Sequence, residues 1–414
     1  MKKNILIVGN NPNAYALAKK LSEKHNIFVA PKSDGLKEFT TCLDIREDDI
    51  NSLLDFAMEN EIDMTIALSQ KAIDEDISTR FNQNNQQIFA PSAAANYIVS
   101  NKAYAKKIMY KLKIPTPKFG IFDKINLAVD YIKSQQTPFV IKTNDTGSAV
   151  ILTSEQCAKN ILETTFLDKN NKIIIEDYVY GTPFAFYVIT DGYKALPIGS
   201  SIMYKHILEG DGGQVTSGMG SCVPNYKLSL AQEEFLMRNS VYPVLNYLQN
   251  GNNAYLGILG VNGILSEDGS ISVLGWQSFT QDADTNGILN QLDEDIYSLF
   301  ESCIIGSFSD EIDFIRQNNT SSASVVLRCS HKNNQENAIK GVDNIEDETQ
   351  LVFYPNIKKN KYLEFEAEYG PVCIVTSSSS NASKAAEKVY KELKDLDFNG
   401  INYRKDICSV DKLS

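Results

Sequence analysis

The stretch IIIEDYVYGTPFAFYVITDGYKALPIGSS, residues 173–201, indicates how the middle of this chain folds. It begins with a run of isoleucines typical of a buried strand, and the run ends at two acids, Glu176 and Asp177. After Gly181 the sequence is typical of longer antiparallel strands, and a similar pattern occupies residues 254–276. The turn SEDGS, Ser266–Ser270, divides that second run as in a β-hairpin. We therefore expect an antiparallel sheet at the centre of the fold.

The first hundred residues show a different pattern, in which short apolar runs alternate with amphipathic segments. Asn4–Gly9 is a buried-strand run, and Ala14, Leu17, Ala18 and Leu21 follow it at helical spacing. The alternation continues as far as the run QIFAPS. It predicts a doubly wound α/β domain with a parallel sheet over residues 1–100.

The rest of the chain predicts two further domains. A helix is expected from Ser100 to Lys113, and the prolines of Ile114–Gly120 end it. A small α+β lid, at about residues 119–190, is expected within a central domain of residues 101–320. Strands and one amphipathic helix predict a small α+β domain at residues 321–414. The predicted fold class is therefore mixed, α/β followed by α+β.

Composition and charge exclude several classes of partner. The formal net charge of −12 argues against a nucleic acid or an anionic membrane as the main partner. No stretch approaches the roughly 18 to 20 apolar residues that a membrane span needs. The seven cysteines are scattered and never form a C-x-x-C pair, which favours a reduced, cytoplasmic protein over a disulfide or zinc framework.

Several charged residues lie where an anion site is expected. Lys142 ends the strand PFVIK, before a polar turn that contains Gly147, and Lys102 lies at the start of the helix that follows the first α/β domain. Each of these lysines is either a phosphate clamp or an ordinary solvated lysine. Glu176 and Asp177 end a buried strand, so they either contact a nucleotide or lie where the strand simply leads into a turn. The glycine-rich residues 206–221 fit a flexible loop around a small polar substrate, or a structural loop. Arg404 lies in an anion-binding edge or in a salt-bridged tail.

Five segments, taken in order, resemble the phosphoribosylamine–glycine ligase (glycinamide ribonucleotide synthetase) family of ATP-grasp enzymes. They are NKAYAKKIMYKLKIPTPKFGIF, PFVIK, IIIEDYVYGTPFAFYVITDGYKALPIGSS, EGDGGQVTSGMGSCVP and DFNGINYRKDI. Most of these segments are weak signals alone, but their order and spacing extend over nearly the whole chain. The resemblance implies a central ATP-grasp fold.

The resemblance also implies a reaction, its cofactors and its site residues. In the family, ATP phosphorylates the carboxylate of glycine, and the amine of phosphoribosylamine then attacks the acyl phosphate. Small molecules, a glycine-like carboxylate and an amine, are therefore the implied partners, with ATP and Mg²⁺ as cofactors. The implied nucleotide contacts are Lys102, Lys142, Glu176, Asp177, Tyr178 and Val179. The implied catalytic residues are Lys142, Lys205, Asp211 and Arg404.

This chain departs from the family pattern at the sugar-phosphate and metal positions. The family turn G-N-G-G-R-E-H-A is here GNNPNAYA, Gly9–Ala16. In the family strand V-I-E-F-N, the glutamate and asparagine hold Mg²⁺, whereas this chain has Gly275 and Gln277. Gln277 and Asp282 are the remaining candidate metal ligands. Three hypotheses stay open: the family ligase, a catalytically impaired nucleotide- or metabolite-binding paralogue, and a ligase with changed substrates.

Overall fold

A computed structural model describes residues 2–144, 149–165, 172–332, 337–346 and 348–409. It contains a parallel sheet, a small antiparallel sheet and a large antiparallel sheet. This architecture confirms the predicted fold class. Among the described residues, none of the helices combines the length and the apolar character that crossing a bilayer requires.

The N-terminal part of the chain forms the parallel sheet. Its strands are β1 (Asn4–Val8), β2 (Asn26–Ala30), β3 (Thr41–Cys42), β4 (Met64–Ala67) and β5 (Ile88–Phe89), in the order β3-β2-β1-β4-β5. The helices of this part are α1 (Pro12–Ser22), α2 (Ile50–Glu59), α3 (Gln70–Asp74), α4 (Ile77–Gln83) and α5 (Ala93–Ser100). β1 is the central strand, and its buried side chains pack on both faces of the sheet. That position explains its continuous apolar run.

A single helix and a small antiparallel sheet follow. The helix α6 (Lys102–Lys111) begins at Asn101, whose side chain accepts a hydrogen bond from the backbone N–H of Tyr104. The sheet contains β6 (Phe119–Phe122), β7 (Phe139–Thr143), β8 (Val150–Leu152) and β9 (Ile173–Asp177), in the order β6-β9-β7-β8. Its helices are α7 (Ile125–Lys133) and α8 (Glu155–Thr165). We call this unit the lid. The predicted turn at Gly147 lies outside the described residues.

The large sheet runs from the central segment into the C-terminal part. Its path is β14-β13-β10-β11-β12-β15-β19-β16, and β20 pairs with β15. The central strands are β10 (Thr182–Asp191), β11 (Ala195–Leu208), β12 (Gly212–Val223), β13 (Leu256–Leu265) and β14 (Ile271–Ser278). The later strands are β15 (Ser321–Cys329), β16 (Gln350–Phe353), β19 (Gly370–Ser379) and β20 (Ile401–Asn402), with a separate pair β17 (Lys358–Lys359) and β18 (Phe365–Glu366). Because β12 pairs with β15, the sheet is continuous across the predicted boundary at residue 321. The bounds of the three predicted domains stay predictions.

The remaining helices cover the large sheet. They are α9 (Leu230–Leu236), α10 (Tyr242–Asn250), α11 (Thr285–Gln291), α12 (Ile296–Ile305), α13 (Phe308–Glu311) and α14 (Ala382–Glu392). The largest apolar cluster contains residues of β1 and α1 together with residues of β15, β19 and α14. The first and last parts of the chain therefore share one core.

Residues 206–221 differ from the flexible loop that their glycines predict. They form the end of β11, a short turn at Glu209–Asp211 and most of β12. The pairing is irregular, with register shifts on both sides of the pair His206 and Val215. The glycines therefore accommodate an uneven hairpin, since a residue without a Cβ tolerates such backbone irregularity.

One cysteine pair also departs from expectation. Cys222 of β12 and Cys408 are joined by a disulfide, with their Cα atoms 5.5 Å apart. The sequence separation of 186 residues gave no local signal for this pair. The C-terminal segment returns to the β11–β12 hairpin, where the hydroxyl of Tyr204 on β11 accepts a hydrogen bond from the backbone N–H of Cys408 at 3.0 Å.

Substitutions at two glycines, Gly341 and Gly306, test how closely the backbone is packed around residue 341. Gly341 and Gly306 have left-handed φ values of 80° and 82°. A Cβ at residue 341 would collide with the carbonyl of Asp395, whereas one at residue 306 meets nothing within 4 Å. Gly341→Ala should lower the free energy of unfolding by roughly 3 kcal/mol or more, and Gly306→Ala by about 1 kcal/mol. Urea denaturation of both variants measures the difference, and equal losses would contradict the packing around Gly341.

Candidate functional site

A buried ion cluster lies where the lid meets α6. Glu176, in β9, contacts two ammonium groups: Lys142 of β7 at 2.7 Å and Lys106 of α6 at 3.2 Å. The side chains of Glu176 and Lys106 are 2% and 3% exposed, and that of Lys142 is 12% exposed. Burial favours neutral Glu176, but the two ammonium groups outweigh that effect and keep its pKa below the usual value. Two cations against one anion leave a positive charge that suits a phosphate.

The ion cluster is also connected to the large sheet. Lys106 Nζ donates to the hydroxyl of Thr116 at 2.6 Å, and that hydroxyl donates to the carbonyl of Val273 in β14 at 2.7 Å. The backbone N–H of Val273 donates to the carbonyl of Pro115 at 2.7 Å. Lys106 therefore links the lid to β14. Burial lowers the pKa of Lys106 to about 8, although Glu176 acts in the opposite direction.

The sequence pattern did not single out Lys106. The signal was its position one helical turn after Lys102, on the face of α6 that also buries Ala103 and Met109. A lysine among buried positions needs a partner in the folded protein. Its partner Glu176 is 70 residues away along the chain, so only the fold brings the two together.

The predicted nucleotide residues lie around this cluster. The backbone N–H of Lys102 donates to the carbonyl of Asn144 at 3.2 Å, so α6 begins beside the turn that follows Lys142. The backbone N–H of Asp177 donates to the carbonyl of Lys118 at 2.9 Å, and Tyr178 and Val179 continue from the end of β9. The structure therefore brings Lys102, Lys142 and the β9 end into one region. Their roles in nucleotide binding stay predictions.

A second polar group lies on β11, β13, β14 and the loop after β14. Its members are Asn262, Gln277, Gln281 and Lys205, which we call the amide–lysine set. Lys205 Nζ donates to Gln281 Oε1 at 3.1 Å and to the carbonyl of Ser217 at 3.0 Å. The amide of Gln281 donates to Gln277 Oε1, which also accepts from Asn262 Nδ2 at 2.8 Å.

Two carboxylates lie beside the amide–lysine set. Asp284 is buried and accepts hydrogen bonds from the hydroxyls of Tyr187 and Ser201, the latter at 2.7 Å. Asp282 lines a small cavity with Lys205 and Tyr354. Burial raises the pKa of Asp282 to about 6, although the Lys205 ammonium and the Tyr354 hydroxyl oppose that shift.

The residues on β14 itself offer few ligands for a magnesium ion. The described part of the chain contains no group of three or more His, Cys, Asp or Glu side chains placed to hold a metal. Gly275 has no side chain to offer, and Gln277 Oε1 already accepts two amide N–H groups. Mg²⁺ requires near-octahedral oxygen ligation. Gln277 is therefore held by protein partners, and the roles of Gln277 and Asp282 as metal ligands stay predictions.

Arg404 lies in a third cluster, at the hairpin turn between β11 and β12. Its guanidinium contacts Asp406 at 2.6 Å and Asp211 at 2.7 Å, and it stacks 5.0 Å from the ring centre of Tyr204. Its side chain is 2% exposed. The structure thus brings together the predicted residues Asp211 and Arg404 as a salt-bridged pair. The catalytic roles of both residues stay predictions.

Comparisons with known proteins agree on one family. Residues 3–98 match the model of the phosphoribosylglycinamide synthetase N domain, and residues 100–285 match the model of its ATP-grasp (A) domain. The chain belongs to this family. It is 28% identical over 420 residues to a phosphoribosylamine–glycine ligase of Halalkalibacterium halodurans, covering 98% of this chain and 96% of that protein. The family prediction is confirmed.

Solved structures show the same fold. Phosphoribosylamine–glycine ligase of Thermotoga maritima has a TM-score of 0.80 and 17% identity, covering 97% of this chain and 99% of that one. A biotin carboxylase domain of Hydrogenobacter thermophilus 2-oxoglutarate carboxylase, solved with MgADP, has a TM-score of 0.71 and 13% identity, covering 97% of this chain and 92% of that one. At such identities the likeness concerns the fold.

Removal of the carboxylate of the ion cluster should lower the free energy of unfolding substantially. Glu176→Gln leaves Lys106 buried beside Lys142 without a counter-charge, so the free energy of unfolding should fall by roughly 3–5 kcal/mol. Lys133→Met removes an exposed ion pair with Asp130 on the same lid and should cost about 0.5 kcal/mol or less. Urea denaturation compares the two variants. Similar losses in both would show that the cluster is not buried as described.

The raised pKa of Asp282 should make the free energy of unfolding depend on pH. Its pKa is about 6 in the folded protein, above the value near 3.9 of an unfolded aspartate. Its stabilising contribution is therefore full below about pH 4 and is lost as the pH rises through about 6. Asp282→Asn should gain on the order of 1–3 kcal/mol of stability relative to the wild type between those pH values. Urea denaturation across the range tests this, with the exposed Asp55→Asn as a control that should show no such trend.

Proposed function

We propose that this protein is an ATP-dependent carboxylate–amine ligase. The main support is the Lys106–Glu176–Lys142 ion cluster, which keeps positive charge at the junction of the lid, α6 and β14. Such a site suits the phosphates of ATP, because a preorganised cation stabilises developing negative charge. Membership of a ligase family supports the same assignment.

The proposed reaction has two steps. A carboxylate oxygen of a glycine-like substrate attacks the γ-phosphorus of ATP, the bond to the β-phosphate oxygen breaks, and ADP leaves. An amine nitrogen then attacks the acyl carbon, phosphate leaves with the C–O bonding electrons, and the nitrogen loses a proton. Phosphorylation is needed because a free carboxylate is a poor electrophile. The proposed amine is phosphoribosylamine, which the names of the relatives indicate.

The site residues divide by their location. We assign Lys102 and Lys142 to the phosphates, and the β9 end, Glu176 to Val179, to the purine. Lys205, Asp211 and Arg404 belong to the substrate side of the site, around the β11–β12 hairpin. The net charge of −12 favours small-molecule partners over nucleic acid or an anionic membrane.

One observation favours a changed amine substrate. In the first turn of α1, the Asn13 amide donates to the carbonyl of Thr280 at 2.8 Å and its oxygen accepts from Thr285 at 2.6 Å. Asn13 is buried, so it fastens the loop after β14 rather than facing a ligand. The resemblance places the sugar-phosphate contacts of the family at this turn. A ligase that accepts a different amine is therefore the second candidate.

Release of ADP tests the proposed function. Purified protein with MgATP, glycine and phosphoribosylamine should release ADP at roughly 1 s⁻¹ or faster. Lys142→Met should lower that rate by on the order of 100-fold, because a charged contact to the transition state is lost. The exposed Lys133→Met should leave the rate unchanged.

Other amines distinguish the remaining hypotheses. ADP release with glycine and another primary amine, but not with phosphoribosylamine, would support the changed-substrate ligase. Nucleotide binding with no ADP release for any amine would contradict the ligase and support the impaired paralogue.

A further inference from the structure

The three side chains of the ion cluster differ in how far they reach the surface. The side chain of Lys142 is 12% exposed, whereas those of Lys106 and Glu176 are 3% and 2% exposed. A ligand that approaches the cluster therefore meets the ammonium of Lys142, while Lys106 stays buried with Glu176. An effect of Lys106 on such a ligand consequently acts through the carboxylate that the two lysines share.

Glu176 divides its two oxygens between the lysines. Its Oε2 lies 2.7 Å from Lys142 Nζ, and its Oε1 lies 3.2 Å from Lys106 Nζ. Two ammonium groups and one carboxylate leave a single net positive charge. Without Lys106, the carboxylate and Lys142 would form a neutral pair, and opposite charges in a buried site interact strongly. The positive charge at the exposed end of the cluster therefore depends on Lys106.

The other partners of Lys106 carry no charge. Its Nζ donates to the hydroxyl of Thr116 at 2.6 Å, and that hydroxyl donates to the carbonyl of Val273 at 2.7 Å. The ring centre of Phe119 lies 5.8 Å from the same ammonium. These contacts fix the position of the ammonium without neutralising it. Within the described part of the chain, its ion pair is the one with Glu176.

We propose that Lys106 is a positioning residue for the nucleotide phosphates, which binds Glu176 from the buried side and so leaves the charge of Lys142 available to a phosphate. The proposal rests on the proposed function, in which Lys142 contacts the phosphates of ATP. It adds a residue that touches neither substrate nor nucleotide. An ammonium whose carboxylate partner is shared with a second cation attracts an anionic oxygen more strongly than one in a neutral pair.

The net charge of the cluster gives this proposal a distinctive test. Lys106→Met removes one ammonium and keeps an unbranched apolar side chain, so Glu176 then neutralises Lys142. Lys106→Met combined with Glu176→Gln also removes the carboxylate and restores one net positive charge, on Lys142. A Lys106 that merely fastened the lid to β14 through Thr116 would be absent from both variants. That structural role therefore predicts equal losses, whereas the proposal predicts rescue.

Calorimetric titration with MgATP measures the effect. Lys106→Met should raise the Kd by roughly tenfold, because one net positive charge beside the phosphates is lost. The double variant should bind with a Kd within about threefold of the wild-type value. Lys107→Met, at an exposed position of the same helix α6, is the matched control and should bind as the wild type does.

Ligands with and without phosphates separate charge from geometry. Inorganic tripolyphosphate should show the same order of affinities as MgATP across the variants. Adenosine, measured by competition, should bind all of them alike, because it carries no phosphate. A displaced lid would instead weaken adenosine as well, since the proposed purine contacts lie at the end of the lid strand β9.

Thermal denaturation checks that the variants fold and tests the shared carboxylate independently. Glu176→Gln alone leaves the ammonium of Lys106 buried without a counter-charge, and Lys106→Met removes that ammonium. The double variant should therefore melt at a higher temperature than Glu176→Gln alone. A lower melting temperature would contradict the pairing of Lys106 with Glu176.

Two binding results would overturn the proposal: a wild-type affinity for MgATP in folded Lys106→Met, or an equal loss in Lys106→Met and the double variant. The ligase is judged separately. If the affinities follow the expected order but no amine supports ADP release, the role of Lys106 stands and the ligase fails. If the wild type releases ADP but Lys106→Met binds MgATP as the wild type does, the ligase stands and the role of Lys106 fails.

Discussion

The contact of one buried carboxylate with two lysines determines how the parts of this site meet. Glu176 is on the lid, Lys106 is on α6, and the hydroxyl of Thr116 carries the connection from Lys106 to β14. A buried ion cluster is costly to desolvate, and so its value lies in fixing geometry more than in net stability. The lid strand can carry Lys142 at a defined position because Glu176 is already held from the other side.

The continuity of the large sheet extends the same constraint to the C-terminal part. β12 pairs with the central strand β11 on one side and with β15 on the other, so the hairpin that carries Asp211 is held by both halves of the chain. Arg404 and Asp211 form an ion pair although they are 193 positions apart in the sequence. A disulfide between Cys222 and Cys408 fastens the same return. Chemistry at this hairpin is consequently coupled to the fold of the last residues.

The replacement of a glutamate by Gly275 and of an asparagine by Gln277 on β14 shows how a family fold can persist while its site changes. The strand is held to β13 by backbone hydrogen bonds, and its core side is filled by Trp276. Neither depends on the side chains of residues 275 and 277, which face the site. Their replacement leaves the sheet intact but removes the charge that a cation requires. Lys205 provides positive charge at the same place.

The sequence by itself determined the strand and helix types, the family and the position of Lys142 near the end of a lid strand. These follow from local periodicity and motif order, which the chain carries within short windows. It did not reveal that Lys106 is a buried ion partner, that Gln277 is enclosed by other amides, or that residues 206–221 are strands. Those facts depend on contacts between segments distant in sequence, such as Lys106 with Glu176 and Cys222 with Cys408. Only the tertiary structure decides them, because burial and hydrogen-bond partners exist only once those segments pack together.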